Sequence, residues 1–363
     1  MDERCVLAAE SLAAKDSGIG RVARLMAKVL SEHLAEHRAA LRGISLSDEP
    51  GDLSEWPWAV SCAGNRLAYV LRLQARGLRA SSMVYDSLSM ARGHFMGPAR
   101  WRSALAWMHG IDVWEAARAE HVRVAQNVDL LLTNTEYTRR RAAALHPGLE
   151  RATVCWLGSE TDAVPRSERP PDRPTVLLLS RIDRESYKGH RELIAAWPGV
   201  LERVPRARLV IAGAGPGIGE VRALARSSPA TANIELIGYV PEAELPALWG
   251  RTTVLAMPSR GEGFGLTYVE AMRHGIPVVA SREDAGQEVN VDGETGFNVA
   301  RRRPRELVEA LTALLGDRDR ARVMGMAGRE RWLRHFTFSA FKGRFLRILD
   351  ETNFLARRMN EQG

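Results

Sequence analysis

The chain has 363 residues, 45% of them hydrophobic and 26% charged, which is too long for one ordinary core and about right for two domains. Its formal charge of +7 admits anionic partners but says nothing of fold, and no apolar run approaches the roughly 18 residues of a membrane span. Three scattered cysteines (Cys5, Cys62, Cys155) without C-x-x-C spacing exclude a disulfide framework and suit a reducing cytoplasm.

The N-terminus, MDERCVLAAE, is acidic and passes straight into an apolar strand pattern, unlike a secretory leader. Strand candidates in the first half are RCVLAAE, SSMVYDS, ALAWMHGI, DLLLTNT and ATVCWLG. Helical patterns lie between several of them: RVARLMAKVLSEHL, WEAARAEHVRVAQN and EYTRRRAAAL. Between Arg66 and Arg102 stand seven arginines against one acid, Asp86, with Phe95, Met96, Trp101 and Trp107 nearby. Such a segment can meet an anionic membrane or a lipid-diphosphate acceptor, or be a solvated face.

SETDAVPRSERPPDRP, residues 159–174, has neither period and reads as a linker. Alternation restarts with TVLLLSRI, ARLVIAGAG, NIELIGYV, TVLAMPS and PVVAS, each followed by a helix or a loop opening one. Near-continuous apolar strands between helices imply parallel sheets covered on both faces. The expected fold is therefore α/β, with doubly wound domains over 1–160 and 174–337 and a C-terminal helix near 338–355 packing back on the first. Ligands of such sheets bind beyond the carboxyl ends of the strands, so the expected site is a cleft between the domains.

SRGEGFGLTYVEAMRHG, Ser259–Gly275, sets Glu262 in a glycine-rich strand-to-helix turn and Glu270 eight residues later, a little over two helical turns. Glycines let backbone N–H groups approach a ligand, and the helix N-terminus favours an anion. A carboxylate inside that turn is out of place beside phosphate alone. It fits if Glu262 accepts hydrogen bonds from neutral hydroxyls while the N–H groups hold phosphate, and if Glu270 reaches a ribose. Together these describe a nucleotide sugar. The spacing alone equally allows a surface glutamate and a capping or salt-bridged one.

EGFGLTYVEAM resembles the E-x7-E signature of retaining glycosyltransferases with the GT-B fold, specifically glycosyltransferase family four. SRIDRESYKGHRELIAAW, LVIAGAGP, NIELIGYVPEAELPALW, VLAMPSRGEGFG and a loop at DGETGFNV are similar to further family segments, in family order. They cover most of residues 174–335. The first half is similar more loosely, through SGIGRVARLMAKVL, WMHGIDVW and LLLTNTEYTRRRA. The resemblance implies two Rossmann-like domains facing across a cleft, the first for the acceptor and the second for the nucleotide sugar.

By the same resemblance Glu262 contacts donor-sugar hydroxyls and Glu270 the ribose. The backbone at Phe264, Gly265 and Leu266 approaches the diphosphate, which Arg181 and Lys188 hold as it leaves. Tyr239 lies where the base is held, and His109 sits near the donor sugar. Gly18 and Gly20 form a glycine turn under the donor, where SGIGR replaces the family's commoner paired glycines. A retaining, metal-independent transfer from a GDP- or UDP-sugar to a glycan or lipid-linked acceptor is implied, in bacterial exopolysaccharide or lipopolysaccharide biosynthesis. The expected location is the cytoplasm, peripheral on the inner face of the membrane.

Rival readings are weaker. IAGAGPGIGE is a poor dinucleotide fingerprint, because Glu235 opens its strand instead of ending it. Asp317 and Asp319 in GDRDRAR make a D-x-D, but between two helical patterns they read as a capped helix start. His94, His121, His146, His190 and His274 show no ligand spacing, so no metal is expected. Arg301, Arg302, Arg303 and Arg305 read as a solvated loop. A nucleic-acid partner lacks both a recognition module and enough aromatics, at 6%. A catalytically inactive GT-B scaffold is the remaining alternative, against which Arg181, Lys188, Glu262 and Glu270 all stand in place.

Overall fold

The computed structural model describes residues 3–13, 18–115, 117–165, 172–184 and 188–355. Ser17 of SGIGR, residues 166–171 of the linker, and Glu185–Tyr187 between Arg181 and Lys188 lie outside the described residues. The chain divides into two units: Met1–Thr161 with Phe338–Gly363, and Asp162–Thr337.

The first unit opens with β1 (Glu3–Ala9), α1 (Gly18–Glu36), β2 (Ala40–Ser45), β3 (Ala59–Ser61) and α2 (Arg66–Gly77). β4 (Ser82–Tyr85), α3 (Leu88–Ala91), β5 (Ser103–Met108) and α4 (Ala119–Asn127) follow. β6 (Leu130–Thr133), α5 (Glu136–Leu145) and β7 (Thr153–Val154) complete its sheet. The strands pair in parallel in the order β3-β2-β1-β4-β5-β6-β7. Met83, Val84, Tyr85 and Leu105–Met108 are fully buried, as helices on both faces require.

The second unit runs β8 (Thr175–Leu179), α6 (His190–Arg203), β9 (Arg208–Ala212), α7 (Ile218–Ser227), β10 (Ile234–Gly238) and α8 (Leu245–Gly250). Next come β11 (Val254–Met257), α9 (Leu266–Arg273), β12 (Val278–Ser281), α10 (Gly286–Val289) and β13 (Gly296–Val299). α11 (Pro304–Gly316) and α12 (Arg318–His335) close it. Its parallel sheet has the order β10-β9-β8-β11-β12-β13, which reverses direction between β8 and β11. In a doubly wound sheet that reversal opens a crevice at the carboxyl ends of the two strands.

The last helix, α13 (Phe338–Glu351), belongs to the first unit. Phe341 and Phe345 pack on Trp107 of β5 with ring centroids 6.2 and 6.0 Å away, and Lys342 pairs with Glu32 of α1 at 2.8 Å.

Several local expectations are corrected. ALRGIS and AVS form β2 and β3 although neither shows a strand-like apolar run: Arg42 and Gly43 interrupt the first, and the second has three residues. GFNV, read as loop, is the edge strand β13. In WEAARAEHVRVAQN the helix spans Ala119–Asn127, and the described residues before it are not helical. The solvated-loop reading of RRRPRE fails at Arg301, which is half-buried and pairs with Glu192 at 2.7 Å, and at Arg305, which lies in the first turn of α11. The capped helix start read at Asp317, by contrast, is found: Asp317 caps α12, accepting the Arg320 N–H at 2.9 Å.

Candidate active site

The loops after β8 and β11 flank the reversal in the second sheet, so topology places them side by side. The first loop carries Arg181 and Lys188, the second Glu262. Gly189 lets them close up. It has φ +93°, and a Cβ there would lie 2.7 Å from Pro258 Cδ and 2.8 Å from the Pro258 carbonyl oxygen. The K-G pair therefore seats Lys188 against the end of β11. Lys188 Nζ donates to Glu262 Oε2 at 2.6 Å, with the two side chains 16% and 14% exposed.

Glu262 is held through its backbone from the turn after β12. Its N–H donates to Asp284 Oδ2 at 3.1 Å, and its carbonyl accepts the Ala285 N–H, also at 3.1 Å. Asp284 further accepts the Ser259 hydroxyl at 2.5 Å and the Gly286 N–H at 3.0 Å. Burial pushes the Asp284 carboxyl up to about 7. The Ser259 hydrogen bond opposes that rise, and the charge of Glu262 adds to it. Sequence reasoning missed Asp284. The available signal was an acid just past a buried parallel strand, in SREDAG, beside the loop already singled out.

Gly265 starts α9 in the left-handed region, φ +98°, where a Cβ would lie 2.2 Å from the Tyr268 ring. That ring is buried, and its hydroxyl donates to the Met257 carbonyl at 2.7 Å, so it cannot yield. The first intrahelical bonds run from Tyr268 and Val269 N–H to the Gly265 carbonyl. The N–H groups of Leu266 and Thr267 thus precede the ladder and project from the helix start, where half a positive charge resides. Phe264 turns its ring inward, edge-on to Phe336 at 5.9 Å, which leaves its backbone to shape the turn. Glu270 lies further along α9, half-buried, with Arg273 as a charged neighbour.

Arg181 is not gathered into this group. It stands two residues beyond β8, is 70% exposed, and pairs with Asp183 at 2.9 Å. Its loop is pinned to the G-A-G-P-G turn: Ile182 N–H donates to the Ala214 carbonyl and Gly217 N–H to the Ile182 carbonyl. Those glycines serve this close backbone contact. His190, first in α6, is buried and pushed down to about 4 by burial and then by the Lys188 charge, so it is neutral at pH 7. Tyr239 follows β10 and is 61% exposed.

In the first unit, His109 directly follows β5. Its Nε2 lies 2.7 Å from the Asp86 carbonyl oxygen, which can only accept, so Nε2 carries the proton and Nδ1 keeps the lone pair. Its N–H and that of Gly110 donate to Asp112 at 3.1 and 2.8 Å. Asp86 itself is buried, pushed up to about 7 by burial, and accepts the Glu10 N–H at 2.8 Å. Gly18 and Gly20 do not form a turn. They are the first and third residues of α1, and a Cβ at Gly18 would meet nothing within 4 Å.

The profile described as Glycosyl transferases group 1 matches residues 159–331. A GDP-mannose-dependent alpha-(1-6)-phosphatidylinositol monomannoside mannosyltransferase of Mycobacterium tuberculosis is 34% identical over 268 residues, 67% of this chain and 68% of that protein. The chain belongs to the group 1 glycosyltransferases, family four. A D-inositol 3-phosphate glycosyltransferase of Corynebacterium aurimucosum is 29% identical over 232 residues, covering 59% of this chain and 55% of the relative. Among solved structures, Anabaena HepE in complex with UDP-glucose superposes with TM-score 0.77 at 15% identity, covering 96% and 99% of the two chains. The lipopolysaccharide outer core galactosyltransferase WaaB gives TM-score 0.74 at 15% identity over 96% and 99%. These likenesses give this glycosyltransferase its fold, GT-B.

Proposed function

We propose that this glycosyltransferase moves a hexose, mannose from GDP-mannose first among the candidates, onto a lipid-linked acceptor, with retention and without a metal. The observation that carries the reading is the Lys188–Glu262 contact beside the first turn of α9. It sets a cation, a carboxylate and helix N–H groups together at the reversal of one doubly wound sheet, which is what a sugar diphosphate needs. The mannosyltransferase relative supports the sugar, the base and the lipid character of the acceptor.

In this proposal the diphosphate lies at Leu266 and Thr267 N–H, and Lys188 leaves Glu262 for a phosphate oxygen. Arg181 swings from Asp183 to another. Glu262, released, accepts from sugar hydroxyls, Glu270 from the ribose, and Tyr239 flanks the base. In the first unit His109 receives a sugar hydroxyl at Nδ1, and the start of α1 at Gly18 and Gly20 lies under the donor. The bond from the anomeric carbon to the leaving phosphate breaks while the acceptor oxygen bonds the same carbon from the same face. The acceptor proton passes to the departing phosphate oxygen. Fixed positive charge at the leaving group is the main catalytic contribution.

The acceptor side rests on α2 and the turns after it. Leu67, Leu71, Leu78, Met96 and Trp101 are all more than 60% exposed, interleaved with the exposed Arg66, Arg79 and Arg100. Arg72, Arg92 and Arg102 are instead tied to Ser61, Glu120 and the end of α2. Among the described residues no helix is long and apolar enough to cross a membrane, and an apolar–basic surface of this kind supports peripheral attachment.

Thermal melting with a panel of GDP-, UDP- and ADP-sugars tests the donor, because a ligand of the folded state raises its stability. GDP-mannose should give the largest rise, and the anomeric coupling of the product should match the donor. Stabilisation by a UDP-sugar alone removes the GDP-mannose reading, and an inverted product removes retention.

A further inference from the structure

The far end of α1 carries HLAEH, His33–His37, a group that donor chemistry does not use. Spacings of three and four residues put His33, Glu36 and His37 on one helix face. Each offers one ligand atom, and these atoms lie within 4.8 Å of one another. The two imidazole rings are 4.4 Å apart.

The hydrogen bonding prepares one ring as a donor to metal. His37 Nδ1 lies 2.8 Å from the His33 carbonyl oxygen, which can only accept, so Nδ1 bears the proton and Nε2 the lone pair. Metal-bound histidines characteristically make this second hydrogen bond. The surroundings favour a cation. Helix C-termini are negative, and the charge of Asp350 acts on His33 together with that of Glu36. Lys342 is the opposing charge, 2.8 Å from Glu32 and 4.0 Å from Glu36.

We propose that His33, Glu36 and His37 form a binding site for a borderline divalent cation, zinc before others, with a water completing the tetrahedron. Two imidazoles and one carboxylate are a zinc donor set, and bonds of about 2.0 to 2.2 Å place ligands about 3.4 Å apart. Glu36 and His37 are exposed, so small side-chain rotations reach that spacing from the observed one. The site lies fifteen residues from Gly18, about 22 Å along the helix at 1.5 Å per residue. Its role is therefore to hold the end of α1, beside α13, and not to take part in donor chemistry at the helix start.

Zinc titration of the untagged full chain, followed by calorimetry and by competition with a chromophoric chelator, tests the site. One zinc per chain is expected, weakened at least about tenfold by His33→Ala or His37→Ala and less by Glu36→Gln. Zinc should also raise the melting temperature of the wild type and not of the two histidine variants, whose circular dichroism confirms folding. His335→Ala, outside the cluster, should bind as the wild type does. Absence of stoichiometric binding by the wild type overturns the site, as does unchanged affinity in the folded His33→Ala and His37→Ala chains.

Discussion

Lys188 Nζ and Glu262 Oε2 stand 2.6 Å apart, so the cation proposed for the leaving group and the carboxylate proposed for the sugar neutralise each other before any donor arrives. A donor must therefore separate them. That exchange makes the two residues unequal in mutation.

Glu262→Ala should abolish transfer yet leave nucleoside diphosphate binding equal or tighter, because Lys188 loses the carboxylate that competes with phosphate for it. Lys188→Ala removes a charged hydrogen bond to phosphate and leaves a half-buried carboxylate beside it, so diphosphate affinity should fall by about 1 to 3 kcal/mol. Calorimetry with GDP and UDP on both variants decides this, and weaker binding by Glu262→Ala than by Lys188→Ala reverses the assignment.

Glu270→Ala should act on nucleotide affinity and little on the chemical step. Loss of a charged hydrogen bond to a ribose costs about 1 to 3 kcal/mol, roughly fivefold to 150-fold in Kd. A variant with normal Kd and depressed kcat shows that Glu270 belongs to the reacting end.

The sheets and the E-x7-E loop were legible because buried parallel strands are apolar throughout and glycine turns are written in the sequence. TVLLLS, LVIAG and VLAM give β8, β9 and β11 nearly to the residue. Strands β2, β3 and β13, at or next to the sheet edges, escaped, since such positions need little apolar length and tolerate Arg42, Gly43 and Asn298. The Lys188–Glu262 pair was beyond reach for another reason. Its residues are 74 apart, and only the sheet order β8–β11 makes them neighbours. Asp284 was hidden likewise, because its partners come from a different strand end.

Asp284→Asn should change how stability varies with pH. The folded carboxyl is raised to about 7 from an ordinary 3.8, so its protonated form stabilises the fold below the unfolded value and that contribution is lost as pH rises through about 7. Between pH 5 and 8 the wild type should therefore lose on the order of 2 kcal/mol relative to the variant, a few degrees of melting temperature. The amide that replaces the carboxylate offers one acceptor fewer to the Ser259 hydroxyl and the Glu262 N–H, so the Glu262 loop loosens and kcat should fall with KM little changed. Parallel melting curves across that pH range place the titration elsewhere.

The apolar–basic face on α2 should bind anionic vesicles in a salt-sensitive way. Each basic residue near such a surface contributes about 1 kcal/mol, so Arg66, Arg79 and Arg100 together matter more than any one. Replacing all three by glutamine should weaken sedimentation with phosphatidylinositol-containing vesicles, and Leu67→Ser with Leu71→Ser should weaken it at high salt as well. Equal partition of the wild type onto neutral and anionic vesicles leaves only a solvated face.

Transfer should continue in EDTA and depend steeply on Lys188 and Arg181. A departing diphosphate must be neutralised, and at the β8–β11 reversal the groups at hand are Lys188, the N–H groups of Leu266 and Thr267, and Arg181 once it leaves Asp183. Lys188 is already placed by Gly189 and Pro258, so its alanine variant should lose about 100-fold or more in kcat, the scale of one removed oxyanion donor. Arg181 starts 70% exposed and ion-paired at the surface, so fixing it on the diphosphate costs side-chain freedom that Lys188 has already given up. Its alanine variant should lose less, and Asp183→Asn should raise affinity for the diphosphate by freeing the guanidinium. Lys188→Arg should not restore full activity, because a planar fork does not fit where a point charge sits against Glu262. Full activity of Lys188→Ala, or activity that vanishes with EDTA and returns with manganese, would overturn the metal-free mechanism.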